Sequence, residues 1–297
     1  MTGAEAGLLL LCCSLGDPSR RPLTPAQLRE LGRRVRATDW RNKSRELTAG
    51  DLQALGYEPE RAEHILRLLE DRPLLEYYVN RGAREGCVPV TRLDPAFPPA
   101  LRERLGEDCP AFLWAKGELS LLDGQRVALV GSRDLLERNR AFAQAAGKQA
   151  ARQGIRLVSG NARGSDQTAQ LSAMRAGGGV ISVVADSLRR KRPEKGMLYL
   201  SEDGYDEAFS SQRALRRNRV IHALGEITLV AQCAQGAGGT WNGTMRNLRC
   251  GWSPVFCFRD GSPAADALAR AGARLIGAEA LEDIGGLCAL ARSLPGE

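Results

Sequence analysis

The sequence predicts an α/β chain: an extended Rossmann-like, doubly wound, mostly parallel sheet preceded by a small all-helical domain. Three observations carry this. From Arg126 on, short apolar runs alternate with stretches of helical periodicity, the pattern of βαβ units whose strands are buried on both faces. The first 75 or so residues instead place apolar side chains at helical spacing behind capping residues, as short helices do. Between the two lies an irregular stretch with Pro89, Pro95, Pro98, Pro99 and Pro110, each of which works against regular helix. The expected division is a helical domain over 1–75, a connector over 76–120 and the Rossmann-like domain over 121–297.

Taken in order, Leu8 to Cys13 is the longest apolar run, far short of the roughly 18 residues that a membrane span requires. No Lys or Arg precedes it, so it reads as a buried helix of a cytoplasmic protein rather than a secretory signal. Thr24 and Pro25 form an N-cap and first-turn pair, and Leu28, Leu31 and Val35 follow on one face. Pro59 opens a further helix with Ala62, Ile65, Leu66 and Leu69 repeating the spacing. The segment joined at Gly56 has the shape of two small helices, shared by helix-hairpin-helix modules and by ordinary helical folds. One strand is expected in the connector, at 86–90. Beyond it, strands are expected at 127–131, 155–160, 180–185, 226–232, 254–258 and 273–276. Helices are expected at 137–153, 165–176, 212–224, from about 240, and at 263–272.

Composition narrows the chemistry. With 43% hydrophobic and 26% charged residues over 297 positions, the chain can bury a core and is not disordered as a whole. Its net charge of +7 is a basic lean. His64 and His222 are the only histidines, and the eight cysteines contain no CxxC pair, so neither a multi-histidine metal site nor a zinc knuckle is expected. No cofactor is implied.

Ligands of open parallel sheets bind beyond the carboxyl ends of the strands, near the point where strand order reverses. The residues there are Gly131-Ser132-Arg133, then Ser159-Gly160-Asn161-Ala162-Arg163-Gly164-Ser165-Asp166, and later Gly236-Ala237-Gly238-Gly239-Thr240. Each is a small-residue loop running into a helix N-terminus, where backbone N–H groups and the helix dipole favour an anion. Arg133 and Arg163 add forked cationic donors. None of the loops is a dinucleotide or P-loop fingerprint. Residues 188–219 add nine basic against five acidic side chains, a density suited to tracking a phosphodiester backbone. Catalytic candidates are thin: Asp134 and Asp166 are isolated carboxylates, His222 sits among apolar neighbours, and Cys233 has no histidine near it in sequence.

With VALVGSR, SGNARGSD and RRNRVI in place, the chain resembles the DNA-processing protein A (DprA/Smf) family. The matching tracts are Gly131-Ser132-Arg133, Ser159 to Asp166, Leu200-Ser201-Glu202, Arg217-Asn218-Arg219 and, loosely, Gly238-Gly239-Thr240; FPPAL (97–101) and PAFLWAKG (110–117) fit the family's connector. The resemblance implies a non-catalytic, cytoplasmic protein that binds single-stranded DNA, protects incoming strands in natural transformation and loads a RecA-type recombinase, commonly as a homodimer. It implies that Arg133, Arg163, Arg217 and Arg219 clamp phosphates, with Gly131, Ser132, Ser159, Gly160, Gly164, Asn218, Gly238, Gly239 and Thr240 around them. The chain departs from the family at Ala214-Leu215, where an aromatic-proline pair is usual, and Phe209 is the nearby aromatic that could serve. The 297 residues also leave no room for the carboxyl-terminal winged helix of many members. Two other readings remain. One is a phosphoribohydrolase of the LOG type, whose signature GAGGT resembles; the carboxylate expected after the Thr is replaced by Trp241-Asn242-Gly243. The other is a nucleotide sensor in a stress or defence system.

Overall fold

The computed structural model describes residues 1–38 and 47–292. Five helices come first: α1 (Gly3–Cys12), α2 (Pro25–Arg36), α3 (Ala49–Ala54), α4 (Pro59–Glu70) and α5 (Arg72–Arg84). Their starts follow from local chemistry. Thr2, Thr24 and Thr48 each accept the N–H three residues on, and the side chain at that position returns the bond, satisfying two otherwise orphaned donors. Proline occupies the first turn of α2, α4 and α5. Leu11, Leu31, Leu52, Tyr57, Ala62, Ile65 and Leu68 form the core of this region. Leu66 and Leu69 pack at its margin, and Leu68 joins Ala62 and Ile65 as the buried residues of α4.

The rest of the chain builds one nine-stranded sheet. Its strands are β1 (Val88–Thr91), β2 (Phe112–Gly117), β3 (Arg126–Val130), β4 (Arg156–Ser159), β5 (Val180–Val183), β6 (Met197–Ser201), β7 (Ile227–Val230), β8 (Val255–Phe258) and β9 (Arg274–Ile276). In space they run β1-β2-β6-β5-β4-β3-β7-β8-β9. The seven strands from β6 to β9 are parallel to their neighbours. β2 joins β6 antiparallel and β1 joins β2 antiparallel, with Pro89 opposite Trp114. The doubly wound fold and seven of its strands are those the sequence predicts, β1 among them at the end of the 86–90 stretch. β2 and β6 are additions: one lies in the proline-rich connector, the other inside the charged interval.

Helices cover both faces. α6 (Pro99–Leu105), α9 (Ser211–Leu224), α10 (Gly238–Cys250) and α11 (Pro263–Arg270) pack on one face with Ala128, Val130 and Val158. α7 (Glu137–Arg152), α8 (Ser165–Arg175) and α12 (Ile284–Arg292) pack on the other with Val127, Leu129 and Leu157. The alternation along β3 is the period-2 consequence of the pleat. A further cluster joins Leu9, Leu10 and Cys13 of the amino-terminal region to Tyr78, Trp114 and Tyr205, so that core spans all three expected segments. Tyr78 stacks on Tyr205 at 4.4 Å, and Arg81 and the Tyr78 hydroxyl both bond Asp206. No helix among the described residues is long and apolar enough to cross a membrane.

Candidate nucleic-acid interface

The chain winds from β3 through β4 and β5 to β6 in one direction, then returns to lay β7, β8 and β9 on the other side of β3. Strand order therefore reverses between β3 and β7, and a cleft of about 730 Å³ opens beyond their carboxyl ends, where an open α/β sheet is expected to hold its ligand. Of the residues singled out above, Gly131, Ser132, Arg133, Arg217, Asn218, Gly238, Gly239 and Thr240 line it. They arrive from the loop after β3, from α9 and from the start of α10.

The glycines are explained by contact. A Cβ at Gly131 would lie 2.1 Å from Ser165 Oγ, and one at Gly164, whose φ is +88°, would lie 2.2 Å from the Arg133 carbonyl. The loops after β3 and β4 thus touch backbone to backbone, and the Ser165 N–H donates to the Ser132 carbonyl at 3.1 Å. Thr240 Oγ1 donates to the Gly131 carbonyl at 2.9 Å, tying α10 to the same loop. Gln232, just after β7, was not marked by any motif. Its carbonyl takes the Ser132 N–H at 2.9 Å, its Oε1 takes the Leu136 N–H at 3.0 Å, and its Nε2 donates to the Asp134 carbonyl.

The loop after β4 departs from expectation. Asp166 in the first turn of α8 accepts the Gly160 N–H at 3.1 Å and the Ala162 N–H at 3.2 Å. Its carboxyl is buried, which raises its pKa, while Arg217, those N–H groups and the Ser159 hydroxyl pull it back. This loop therefore supplies its own anion, and its Gly160 and Ala162 N–H groups are not offered to a ligand. Ser159 and Gly160 belong to that internal arrangement and do not line the cleft. Arg163 is exposed and ion-paired with Asp134 at 3.1 Å, outside the cleft lining.

Donors remain elsewhere. α10 begins after Ala237, which offers no side-chain cap, so its first N–H groups, at Gly238, Gly239 and Thr240, point out of the helix without a helical partner, as helix starts do. Arg133 is exposed with no carboxylate partner among the described residues. Arg217 is 7% exposed. Its Nη2 donates to the Gly160 carbonyl at 2.9 Å and its Nη1 to Asn218 Oδ1 at 3.1 Å, while its Nε has no partner. Burial pulls its pKa down, and the nearby Asp166 opposes that. Among the described residues no carboxylate lies within ion-pair distance of it; Asp166 offsets its charge through space, and what the cleft wall leaves unmet is the buried Nε donor, a costly group to bury without an acceptor.

Arg219 stands apart from the phosphate clamp expected for it. Its guanidinium is buried against Glu202 at 2.6 Å and donates to the Asp108 carbonyl at 3.0 Å, fastening α9 to β6 and to the connector. Much of the basic stretch is similarly spoken for. Arg189 pairs with Glu85, Lys191 with Asp186, Arg213 with Asp203 and Glu207, and Arg216 with Glu202 and Asp203. Only Arg190, Arg192, Lys195 and Arg217 of that stretch lack a carboxylate partner among the described residues. Folding has spent most of the local positive charge that the sequence displays.

The remaining chemical candidates are quiet. The Cys233 thiol is pushed up to about 11 by burial, so it is no nucleophile at neutral pH. His222 lines the cleft but is fully buried, with its pKa pushed down to about 3 by burial and by Arg217. Asp134 and Asp166 are the carboxylates of the cleft lining, one engaged with Arg163 and the other with backbone.

Comparison with known proteins agrees with this frame. Over 142 residues the chain is 28% identical to the DNA processing protein DprA of Bacillus subtilis, an alignment covering 44% of this chain and 48% of that one. The chain thus spans about half the length of such curated relatives. The crystal structure of DNA processing protein A from Streptococcus pneumoniae superposes with a TM-score of 0.71 at 24% identity, covering 96% of this chain and 98% of the other. A structure of DNA processing protein A from Helicobacter pylori, described for its single-stranded DNA binding mode, gives 0.57 at 22% identity over 66% and 94%. A family model described as DNA recombination-mediator protein A matches residues 89–284, a span that takes in most of the connector, every strand of the sheet but the first residue of β1, and the whole cleft. The chain belongs to the DNA recombination-mediator protein A family.

Proposed function

We propose that this chain binds single-stranded DNA without turning it over, seating the phosphates in the cleft between β3 and β7. The observation that carries the reading is Arg217: a buried guanidinium whose Nε has no partner and which has no ion pair among the described residues, set beside the uncapped start of α10. That arrangement asks for an anion. Arg133 and Arg163 on the outer loops supply attraction at the approach. The name and structure of the Helicobacter pylori relative support a single strand as the source of the phosphates.

In the cell, the reading extends to a cytoplasmic protein that protects incoming strands and passes them to a RecA-type recombinase during natural transformation, acting as a homodimer. Family membership supports this extension. A phosphoribohydrolase would need a carboxylate poised near Thr240, and the two carboxylates of the cleft lining are engaged by Arg163 and by backbone N–H groups.

The test is a salt series comparing oligo(dT), duplex DNA and thymidine monophosphate. Oligo(dT) should bind best, with a log–log salt slope of about −2 for three phosphates engaged by Arg133, Arg163 and Arg217, at about 0.7 per contact. Equal affinity for duplex and single strand, or release of free base from a nucleotide, would overturn the proposal.

A further inference from the structure

His222 stands on the inner wall of the cleft with one ring edge committed and the other open. Its Nδ1 lies 3.1 Å from Thr228 Oγ1 and 3.3 Å from Asn247 Nδ2. The orientation of the Asn247 amide is fixed by Ser253, whose N–H donates to Asn247 Oδ1 at 2.9 Å and whose carbonyl accepts from Nδ2 at 3.1 Å. The two Nδ2 hydrogens have the Ser253 carbonyl, Ser253 Oγ at 3.2 Å and His222 Nδ1 within reach. An Nδ1 that accepts from Nδ2 leaves the ring proton on Nε2.

Nε2 looks toward α10 at Gly243. A Cβ there would lie 3.3 Å from Nε2 and 3.2 Å from Asn218 Nδ2, so the glycine leaves the approach to Nε2 clear. Around this opening the wall presents donors: the N–H groups of Arg217 and the free N–H groups at the start of α10. A nucleobase edge carries donors as well as acceptors, whereas phosphate oxygens only accept. Donors gathered next to a buried cation therefore suit a phosphate.

We propose that His222 is a ligand-binding residue: its neutral Nε2–H donates to an oxygen of a phosphate held at the inner wall of the cleft beside Arg217. This rests on the phosphate-binding reading of the cleft and adds a contact to it. A neutral imidazole contributes direction without charge, so its bond holds at salt concentrations that weaken the arginines.

The chain has two histidines, His64 and His222, and His64 Nε2 is engaged with the Arg21 carbonyl at 2.9 Å far along the chain. Full-length protein labelled with ¹⁵N in its histidine rings thus gives two separable signal sets, one an internal control. In the free protein His222 should show the Nε2–H tautomer. Saturation with oligo(dT) should move the His222 Nε2 resonance and leave His64 still. Gly243→Ala, which blocks the approach while keeping the imidazole, should abolish the shift and weaken oligo(dT) binding about tenfold, the scale of one hydrogen bond to a charged group. His222→Gln, which can still present an N–H, should bind more tightly than His222→Phe, with the folded fraction of each checked by near-UV circular dichroism. An Nδ1–H tautomer, or an unmoved Nε2 resonance in protein saturated with strand, overturns the inference and leaves the strand-binding reading standing. A shift with thymidine monophosphate in a chain that does not bind oligo(dT) supports the phosphate contact and removes the strand as its source.

Discussion

The Arg217 guanidinium fills the volume that a side chain at Gly160 would need: a Cβ there would lie 1.9 Å from Nη1 and 2.3 Å from Cζ, and Nη2 donates to the Gly160 carbonyl at 2.9 Å. The two residues come from α9 and from the loop after β4, so the glycine fixes where the buried cation sits. Gly160→Ala should therefore act as an arginine mutation. We expect it to weaken oligo(dT) binding about as much as Arg217→Ala does, roughly tenfold or more for a charge-assisted contact. Fluorescence anisotropy measures both. Near-native affinity for Gly160→Ala would show that the position of Arg217 is immaterial.

Arg219 belongs to the same motif and should behave differently. Its ion pair with Glu202 is buried on both sides, and removing one partner from such a pair costs about 3 to 5 kcal/mol. Arg219→Ala and Glu202→Gln should both lower the urea midpoint of unfolding while the folded protein keeps its salt slope for oligo(dT). A slope reduced by about 0.7 in Arg219→Ala would instead place a phosphate on that residue.

The buried histidine makes stability depend on pH. His222 is held neutral when folded, with its pKa lowered from the ordinary 6.5 to about 3, whereas in the unfolded chain it takes a proton as pH falls below that ordinary value. The unfolded state then binds more protons, so this stabilisation is present above about pH 6.5 and is lost as pH falls toward 3. Between about pH 7 and pH 5 the loss amounts to about 2 kcal/mol. Urea unfolding at the two pH values should show it in the native chain and show it reduced by that amount in His222→Gln. Equal pH dependence in the two proteins would count against a neutral buried imidazole.

Phe209 is 57% exposed on the segment that enters α9, where it lines a second cleft with Lys116, Arg190 and Asp206. A strand leaving the phosphate site in that direction meets an aromatic face where Ala214 and Leu215 offer none. Phe209→Ala should weaken binding by about 1 to 3 kcal/mol, the worth of one base stacked on an aromatic side chain. Quenching of a 2-aminopurine placed along the oligonucleotide should report the same stack in the native chain and lose it in the variant.

Six of the seven strands that were legible in the sequence, β3, β4, β5, β7, β8 and β9, read as apolar runs, and all of these but the edge strand β9 are largely buried; the seventh, β1, was legible in the connector. β2 and β6 escaped because their context spoke against them: Pro110 stands just ahead of one, and the other follows Arg189 to Arg192 and Lys195. Their pairing is a tertiary fact, a ladder between residues some 80 positions apart, from Trp114 opposite Ser201 to Gly117 opposite Leu198. The site divides the same way. Gly-rich loops at strand ends gave the position of the cleft, and Arg133 and Arg217 stand in it. What spacing could not reveal is which groups are already satisfied. Ser132 is bonded to Gln232, Gly160 to Asp166 and Arg219 to Glu202, and only folding brings those partners together.

The two borders of the sheet share one property. β1 carries Pro89, which has no N–H to give, and β9 is three residues long. An outer strand of either kind is a poor template for a ladder with another chain. Both borders thus disfavour running the sheet of one copy into that of the next, a protection against fibre growth that is built into the edges themselves.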